Sequence, residues 1–365
     1  METRTFLRKL ELPYASLKTL YEGNSEVRLY RNDLTGAEQI GKRICTLGLE
    51  ATLAVQEATL LQTVRHDNLV PVSDVAVVNA PADYPPPMRV IELIMPFYPR
   101  GSLFDALHKG TRFSVRDACL HAQAVLRGLG ELHEQHGILH RDLKSANVFL
   151  TEDTTLLRVG DLGAAMRLDL DGTAEAYPSV QPCTAPETYT VKRLDRRADI
   201  YGVGLILFEL LHGPFEYSHY DSNVGAMNQR LAKGRSALRQ EDLAPGPHVP
   251  PRLRAVLKKA TSRKLGERYA TCRAMSEAIA RAPLIDWRSE AGDDDALLWE
   301  GASVQRPDRR FRIEAKRRRG GRWSLSGLQY VTRWQRFVPD VLVAQPTGPE
   351  ATAFFDQVVK AALRR

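Results

Sequence analysis

The chain has 365 residues, of which 43% are hydrophobic and 26% are charged. This composition is that of an ordinary globular protein and excludes a wholly disordered, collagen-like or simple coiled-coil chain. The net charge of +7 is a surplus that many proteins without an anionic partner also carry.

The first hundred residues alternate in the manner of β-strands. Residues 20–45 alternate around polar turns, 50–64 have the spacing of a helix, and 69–98 predict two strands around a proline-rich loop at 79–87. Prolines lack a backbone donor, so we expect that loop at the surface. The pattern changes near residue 99.

Helical periodicity dominates the next part of the chain. The predicted helices span 103–109, 114–136, 198–212, 222–233, 251–261 and 271–281. Two short strand-like pieces lie at 148–150 and 156–160. A strand-rich front followed by a helix-rich back indicates an α+β protein with two lobes.

A second change of composition follows Pro283, which closes the last of these helices. The acidic stretch from Glu290 to Asp295 has the character of a linker. Beyond it, short strands with turns at 307–308 and 320–321, and a helix at about 350–363, predict a small separate α+β domain.

The cysteines and the apolar runs bear on the compartment. Four cysteines lie far apart without a CxxC pair, which favours neither a zinc site nor a disulfide framework and fits a reducing compartment. The N-terminal stretch lacks an apolar core of signal-peptide length, and the longest apolar run, 203–211, contains Glu209. A spanning helix needs roughly 18 apolar residues. We therefore expect a cytoplasmic protein with no membrane partner.

One segment, HRDLKSANVFL, holds a carboxylate, an ammonium and an amide close together: Asp142, Lys144 and Asn147. Asp161 follows in DLG, and Glu187 follows in APE. This order resembles the protein kinase family, in which HRDLxxxN, DFG and APE succeed one another. The ordered set is much more specific than any one of its motifs.

The resemblance implies a two-lobed protein kinase fold, with a small antiparallel β lobe that has one main helix and a larger helical lobe. Residues 1–98 would form the first lobe with an N-terminal extension, and 99–283 the second. An acidic linker at 284–296 and a small basic α+β domain at 297–365 would follow. The resemblance also implies an ATP- and Mg²⁺-dependent kinase that phosphorylates Ser or Thr of protein substrates, itself included.

Phosphoryl transfer depends on positioning and electrostatic stabilisation, because the transferred group carries charge on several oxygens. By resemblance, Asp142 orients the substrate hydroxyl and accepts its proton, and Lys144 neutralises charge on the phosphoryl group. Asn147 and Asp161 supply the hard oxygen ligands that Mg²⁺ prefers. Taken alone, each Asp is as compatible with a helix cap or a turn.

The resemblance places the nucleotide between the front lobe and the segment after it. Lys42 would hold the α- and β-phosphates and pair with Glu57 on the next helix, the alternative being a surface Lys and a solvated Glu. Arg43 competes for the role of cation, but neighbouring residues of a strand face opposite ways. The other predicted ATP contacts are Gly23, Val27, Met95, Phe97 and Phe149.

Two departures from the family pattern bear on activity. The glycine-rich loop, GxGxxGxV in the family, keeps only Gly23, which predicts weaker phosphate cover. Val180 stands five residues before the APE alanine, where Ser/Thr kinases usually have a Thr, and Thr184 is the alternative hydroxyl. These departures leave a pseudokinase, a nucleotide-binding switch or scaffold, as the second hypothesis. Transfer to a small molecule is the third, and the complete APE segment argues against it.

The segment between DLG and APE offers candidate phosphorylation sites at Thr173, Tyr177 and Ser179. Arg141, beside the catalytic Asp, is a candidate partner for such a phosphate. An unmodified loop is the alternative.

Three further residues are assigned to the scaffold by the resemblance. Glu187 is expected to pair with Arg268 and to tie the docking loop to the later helices. Asp199 is expected to accept hydrogen bonds from the backbone of the catalytic loop. Neither contact takes part in the chemistry.

The last part of the chain is more basic than the rest. From residue 284 onward, 15 Lys and Arg stand against 11 Asp and Glu, and Arg310, Arg312 and Lys316 share one predicted strand face. Such a face with aromatic neighbours is compatible with nucleic acid or an acidic protein. We favour a small domain that has an aromatic core and a basic face exposed to solvent. Protein docking or autoregulation comes second, and nucleic acid is the least favoured partner.

Overall fold

The computed structural model describes residues 14–21, 26–46, 63–78, 89–153, 156–177, 179–282 and 285–363. The fold divides into two compact units, Met1–Pro99 and Arg100–Arg365. Several predicted features lie outside the described residues: Gly23, Glu57, the proline-rich loop and most of the helix at 50–64.

The N-terminal unit contains a five-stranded antiparallel sheet in the order β1-β2-β3-β5-β4. The strands are β1 (Tyr14–Tyr21), β2 (Glu26–Asn32), β3 (Glu38–Thr46), β4 (Asp74–Val78) and β5 (Arg89–Pro96). Cross-strand pairing sets Leu29 opposite Ile40, so apolar residues of neighbouring strands share one face.

The C-terminal unit is mainly helical up to residue 282. Its first helices are α1 (Leu103–His108), α2 (Val115–Gly130), α3 (Arg197–His212), α4 (Tyr217–Asp221), α5 (Val224–Leu231), α6 (Pro251–Ala260) and α7 (Cys272–Ala280). The side chains of Ser102 and Ser114 cap α1 and α2 by accepting backbone N–H groups. Within the described part of the chain, no helix has the length and apolar character needed to cross a membrane.

Helix α3 is the centre of this unit, because every residue from Ala198 to Leu211 is buried. A helix that is apolar on all sides must be surrounded by other elements. Gly202 lets a neighbouring loop come close, since a Cβ atom there would lie 2.7 Å from the carbonyl oxygen of Leu143. The core helix therefore directly supports the loop that contains Asp142.

Three pairs of short strands connect loop segments of this unit. The pairs are β6 (Ile138–Leu139) with β9 (Met166–Arg167), β7 (Val148–Leu150) with β8 (Leu157–Val159), and β10 (Ala174–Glu175) with β11 (Arg193–Leu194). Asn147 directly precedes β7, and Gly160 directly follows β8. Pairing of the two strands brings these two residues together.

The end of the unit is a five-stranded antiparallel sheet whose strands follow in chain order. The elements are β12 (Ile285–Asp293), β13 (Ala296–Ser303), β14 (Arg310–Arg317), β15 (Trp323–Tyr330), β16 (Trp334–Val343) and α8 (Pro349–Leu363). Trp287 and Trp299 pack edge-on against Phe355 of α8, with ring centroids 5.6 and 5.2 Å apart. This face of the sheet is an aromatic core.

The prediction of an acidic linker at 284–296 is wrong. Those residues form β12 and the start of a hairpin with β13, and Ile285 and Trp287 are only 2% and 1% exposed. Charged residues concentrate at the hairpin turn, which gives it the composition of a linker. Strand β12 also contacts α2, where Asp286 Oδ1 accepts from the N–H of Arg116 at 2.7 Å. The C-terminal sheet and the helices thus belong to one compact unit.

Candidate active site

Three side chains of the loop at 140–147 converge on one point. Lys144 Nζ lies 2.9 Å from Asp142 Oδ2, and Asn147 Nδ2 donates to the carbonyl oxygen and to Oδ2 of Asp142 at 2.8 and 3.2 Å. Burial works to lower the pKa of Lys144, but the charge and hydrogen bond of Asp142, together with Cys183 and Asp161, raise that pKa above its ordinary value. Lys144 therefore stays a cation beside the carboxylate.

Asp161 reaches the same loop through the β7–β8 hairpin. The N–H of Gly160 donates to the carbonyl oxygen of Asn147 at 2.9 Å, and His140 Nε2 contacts the carbonyl oxygen of Gly160 at 3.1 Å. Asp161 itself has the left-handed backbone conformation, with φ 57° and ψ 68°. A non-glycine residue keeps such a conformation only where its surroundings fix it, and these sites concentrate where function needs them.

The donor set of Asn147 and Asp161 fits a magnesium ion. Asn147 uses Nδ2 for Asp142, so its Oδ1 is the acceptor that could serve as a ligand. One amide oxygen and one carboxylate suit Mg²⁺, which commonly completes its shell with phosphate oxygens and water. Within the described ranges, no group of three or more His, Cys, Asp and Glu could hold a metal by itself. The phosphates would supply what the protein does not.

The buried carboxylate of Asp199 fixes the backbone of this loop. It accepts from the N–H groups of His140 and Arg141 at 2.8 and 2.9 Å, and from His133 Nε2 at 2.8 Å. Burial works to raise the pKa of Asp199, but the hydrogen bond and the charge of His133 hold that pKa below its usual range. This contact with the backbone is the one expected from the sequence, and it holds Arg141 in its left-handed conformation, with φ 67°.

The buried ion pair of Glu187 and Arg268 is also present. Both guanidinium nitrogens lie 2.7 Å from the two carboxylate oxygens, a bidentate geometry. Arg268 donates further to the carbonyl oxygen of Arg197 at 2.9 Å and lies over the ring of Tyr201. The segment that ends at Glu187 is thereby tied to the start of α3.

Two arginines contact the segment from Asp161 to Glu187. Arg141 donates to the carbonyl oxygen of Glu175 at 2.7 Å, and its guanidinium lies 5.6 Å from the ring centroid of Tyr177. Arg193 Nε donates to Thr173 Oγ1 at 2.6 Å. Of the candidate phosphorylation sites, Tyr177 thus lies beside Arg141 and Thr173 beside Arg193.

In the N-terminal unit, the predicted nucleotide contacts of the sheet share one face. Val27 pairs directly with Lys42, and Met95 pairs with Ile40. Arg43 lies on the other face, where its guanidinium makes ion pairs with the carboxylates of Glu26 and Glu92, both at 3.3 Å. Phe97 follows β5 in this unit, and Phe149 lies in β7 of the other unit.

The match to known proteins covers the part of the chain that contains this site. Residues 16–279 match the family described as protein kinase domain. The chain belongs to the protein kinase family. Its N-terminal antiparallel sheet and its helical part are consistent with the two-lobed kinase fold, and the C-terminal sheet lies beyond the matched kinase region.

Relatives of this kinase include serine/threonine-protein kinases of Arabidopsis thaliana. Identity is 34% over 165 residues with STY17 and 33% over 180 residues with STY46, covering 45% and 48% of this chain. Mitogen-activated protein kinase kinase kinase 13-A of Xenopus laevis is 32% identical over 132 residues, or 36% of this chain. The alignments span 27%, 29% and 14% of the three relatives, less than a third of each.

The kinase site also contains contacts that the sequence patterns did not predict. Gln181 Oε1 accepts from Lys144 Nζ at 2.8 Å. Thr184, the alternative hydroxyl, instead donates to the carbonyl oxygen of Ser179 at 2.7 Å and accepts from the N–H of Gln181. The family pattern specifies a hydroxyl residue and so does not predict an amide. The sequence signal for Gln181 is its position directly after Val180.

The basic strand face of the kinase's C-terminal sheet is a mixed face. Arg312 and Arg310 both make ion pairs with Glu300, and Lys316 lies 3.2 Å from Glu314. Arg310 and Arg312 also lie over the ring of Trp334. Acidic neighbours therefore offset much of the positive charge on this face.

Proposed function

We propose that this kinase transfers the γ-phosphate of ATP, with Mg²⁺, to Ser or Thr hydroxyls of protein substrates and of itself. The observation that carries the proposal is the convergence of Lys144 and Asn147 on the Asp142 carboxylate. Asp142 orients the acceptor hydroxyl and takes its proton. Lys144 neutralises charge on the phosphoryl group. Asn147 and Asp161 would hold the magnesium ion, which would neutralise charge on the phosphates.

The acceptor class is supported by two features. Lys144 lies two residues after Asp142, which by resemblance favours Ser/Thr over Tyr acceptors. The two plant relatives are named serine/threonine-protein kinases. The Glu187–Arg268 pair gives the docking loop a fixed support, which suits a polypeptide acceptor better than a small molecule.

The nucleotide contacts belong to the same proposal. Val27, Lys42 and Met95 share one face of the N-terminal sheet, which suits them to contact one ligand. Lys42 is proposed to hold the phosphates. Arg43 is unsuited to that role because its guanidinium is engaged with Glu26 and Glu92.

For the outer face of the C-terminal sheet we favour a plain solvated surface, and protein docking or autoregulation is the second proposal. Nucleic acid is disfavoured because Glu300 and Glu314 offset the basic side chains of the outer face. A reducing, cytoplasmic location is also proposed, since Cys119, Cys183 and Cys272 are free thiols.

The test uses the purified 365-residue chain with Mg²⁺, labelled ATP and a generic basic protein. We expect labelled phosphoserine or phosphothreonine on the acceptor and on the chain. Asp142→Asn should lower the rate by at least about 100-fold, the lower range for loss of a general base. Asp308→Asn, which changes an exposed turn residue, is the matched control and should leave the rate unchanged.

A parallel measurement of ATP binding separates the two functional hypotheses. The nucleotide-binding switch is the alternative because the phosphate loop has a single glycine. If wild type and Asp142→Asn bind ATP and give the same background signal, the switch replaces the kinase proposal.

A further inference from the structure

The ammonium of Lys144 has a second acceptor besides Asp142. It lies 2.9 Å from Asp142 Oδ2 and 2.8 Å from Oε1 of Gln181, which comes 37 residues later in the chain. An ammonium has three donors, so two of them are used within the protein. The side chain of Gln181 thus links the catalytic loop to the loop that precedes Glu187.

The backbone around Gln181 is fixed by a compact turn. The N–H of Gln181 donates to Thr184 Oγ1 at 3.1 Å, and the N–H of Thr184 donates to the carbonyl oxygen of Gln181 at 3.1 Å. The Thr184 hydroxyl in turn donates to the carbonyl oxygen of Ser179. Three hydrogen bonds within six residues hold Gln181 in place, so its amide approaches Lys144 from a constrained direction.

A neighbouring thiol also contacts the amide oxygen of Gln181. Cys183 Sγ lies 3.7 Å from Oε1, within reach of a weak S–H donor. Burial, with the charge of Asp142, raises the pKa of Cys183 to about 12, so the group stays a thiol. The oxygen of Gln181 therefore accepts from both an ammonium and a thiol.

The chemistry of an amide suits this position. A neutral oxygen holds the ammonium without cancelling its charge, whereas a second carboxylate would weaken the attraction of Lys144 for a phosphoryl group. Valine, which stands next to it at position 180, offers no acceptor. The side chain of Gln is also longer than that of Thr. Gln181 can therefore reach the Lys144 ammonium from the position after Val180, where the family usually has a Thr.

We infer that Gln181 is a positioning residue of the transfer site, whose amide oxygen holds the Lys144 ammonium beside the Asp142 carboxylate. The inference rests on the proposed kinase function for its catalytic consequence. Its structural consequence, a restrained Lys144, stands separately and has its own measurement.

The first measurement is kinetic and uses Gln181→Met, which keeps the size of the side chain and removes the acceptor. We expect kcat to fall about tenfold or more, the size expected for one hydrogen bond to a charged group, while KM for ATP stays within about twofold. Gln335→Met changes an exposed glutamine of β16 and should leave both constants unchanged. An active enzyme whose kcat is unaffected by Gln181→Met overturns the inference, as does a loss of kcat that only follows a lower melting temperature.

The second measurement is acylation of lysines by an amine-reactive ester, followed by mass spectrometry. Lys144 should be labelled faster in Gln181→Met than in wild type, with the exposed Lys264 as internal reference. Gln181→Glu keeps an acceptor oxygen and should restore slow labelling. Equal labelling of Lys144 in wild type and Gln181→Met overturns the inference. If wild type transfers no phosphate, the kinase proposal fails alone, and this labelling still decides whether Gln181 restrains Lys144.

Discussion

At the scale of single residues, two buried carboxylates of this kinase hold loops. Asp199 holds the catalytic loop through two backbone N–H groups, and Glu187 holds Arg268 with both carboxylate oxygens. Removing one partner of a buried ion pair typically costs about 3–5 kcal/mol, because the other charge is left without compensation. Such pairs contribute less to net stability than to keeping one conformation, and here that conformation is the one that brings Asp142 and Asn147 together.

Two neutral histidines make stability depend on pH. His212 Nε2 accepts from the N–H of Gly246, its Nδ1 contacts the carbonyl oxygen of Phe208, and its ring lies 5.7 Å from that of His248. Burial lowers the pKa of His212 to about 3 and that of His248 to about 4, both below the ordinary 6.5. The native state stays neutral while the unfolded chain takes up protons, so stability is complete above about pH 6.5 and falls as the pH drops towards 4. From pH 7 to pH 5 the two groups should together remove about 4 kcal/mol, or about 2 kcal/mol each.

Urea unfolding at pH 7 and pH 5 checks this prediction by comparing variants. Glu209 opposes the histidines, because burial raises its pKa to about 7 and the native state therefore gains a proton as the pH falls. The pH-dependent loss in His212→Gln should be smaller than in wild type by about 2 kcal/mol. His219→Gln replaces an exposed imidazole and should behave as wild type. An identical pH dependence in His212→Gln would contradict the assignment.

At the scale of elements, the long helices could be predicted from sequence, but the short pairings could not. The long apolar stretch predicted as a helix at 198–212 corresponds to α3, Arg197–His212, because a buried run of this length is too long for a strand. Strands β6 and β9 have two residues each, too few to establish a period, and they pair across 28 positions of the chain. Hairpin β12–β13 has the composition of a linker, because the charged residues of its turn outnumber the apolar residues Ile285 and Trp287 before it.

One arginine makes several contacts beside the β10–β11 pair. Arg193 contacts the side chains of Asp169 and Asp171, and it donates to both the hydroxyl and the carbonyl oxygen of Thr173. We expect Arg193→Gln to speed amide exchange over residues 169–176 by less than about tenfold, because exposed ion pairs contribute little each. Hydrogen exchange with mass spectrometry measures this directly.

The matched control for Arg193→Gln is Arg273→Gln. Arg273 makes an exposed ion pair with Glu277 on α7, outside the segment in question. It should leave exchange over residues 169–176 unchanged. Unaltered exchange in both variants would mean that the β10–β11 pair needs no support from Arg193.

At the scale of the whole molecule, the residues found by sequence are those that the chemistry specifies. Asp142, Asn147 and Asp161 follow from motif order, since phosphoryl transfer restricts which side chains can stand there. The contacts of Gln181 and His140 depend on which loops the fold brings together, and no local pattern contains that information.

The boundary of the C-terminal sheet decides where the kinase part can be cut. Deleting residues 285–365 removes the whole sheet, whereas deleting 297–365 leaves β12 with Ile285 and Trp287 exposed. Burial of each of these side chains is worth about 2 kcal/mol, so their exposure favours aggregation. We expect the cut before residue 285 to give more soluble protein and a sharper thermal transition than the cut after 296, by size-exclusion chromatography and calorimetry. The product that lacks residues 285–365 should be less stable than the whole chain, because Arg254 loses its ion pair with Asp356 and the N–H of Arg116 loses its hydrogen bond to Asp286. If only the chain that keeps β12 is soluble, that strand belongs to the core of the kinase part and not to the sheet.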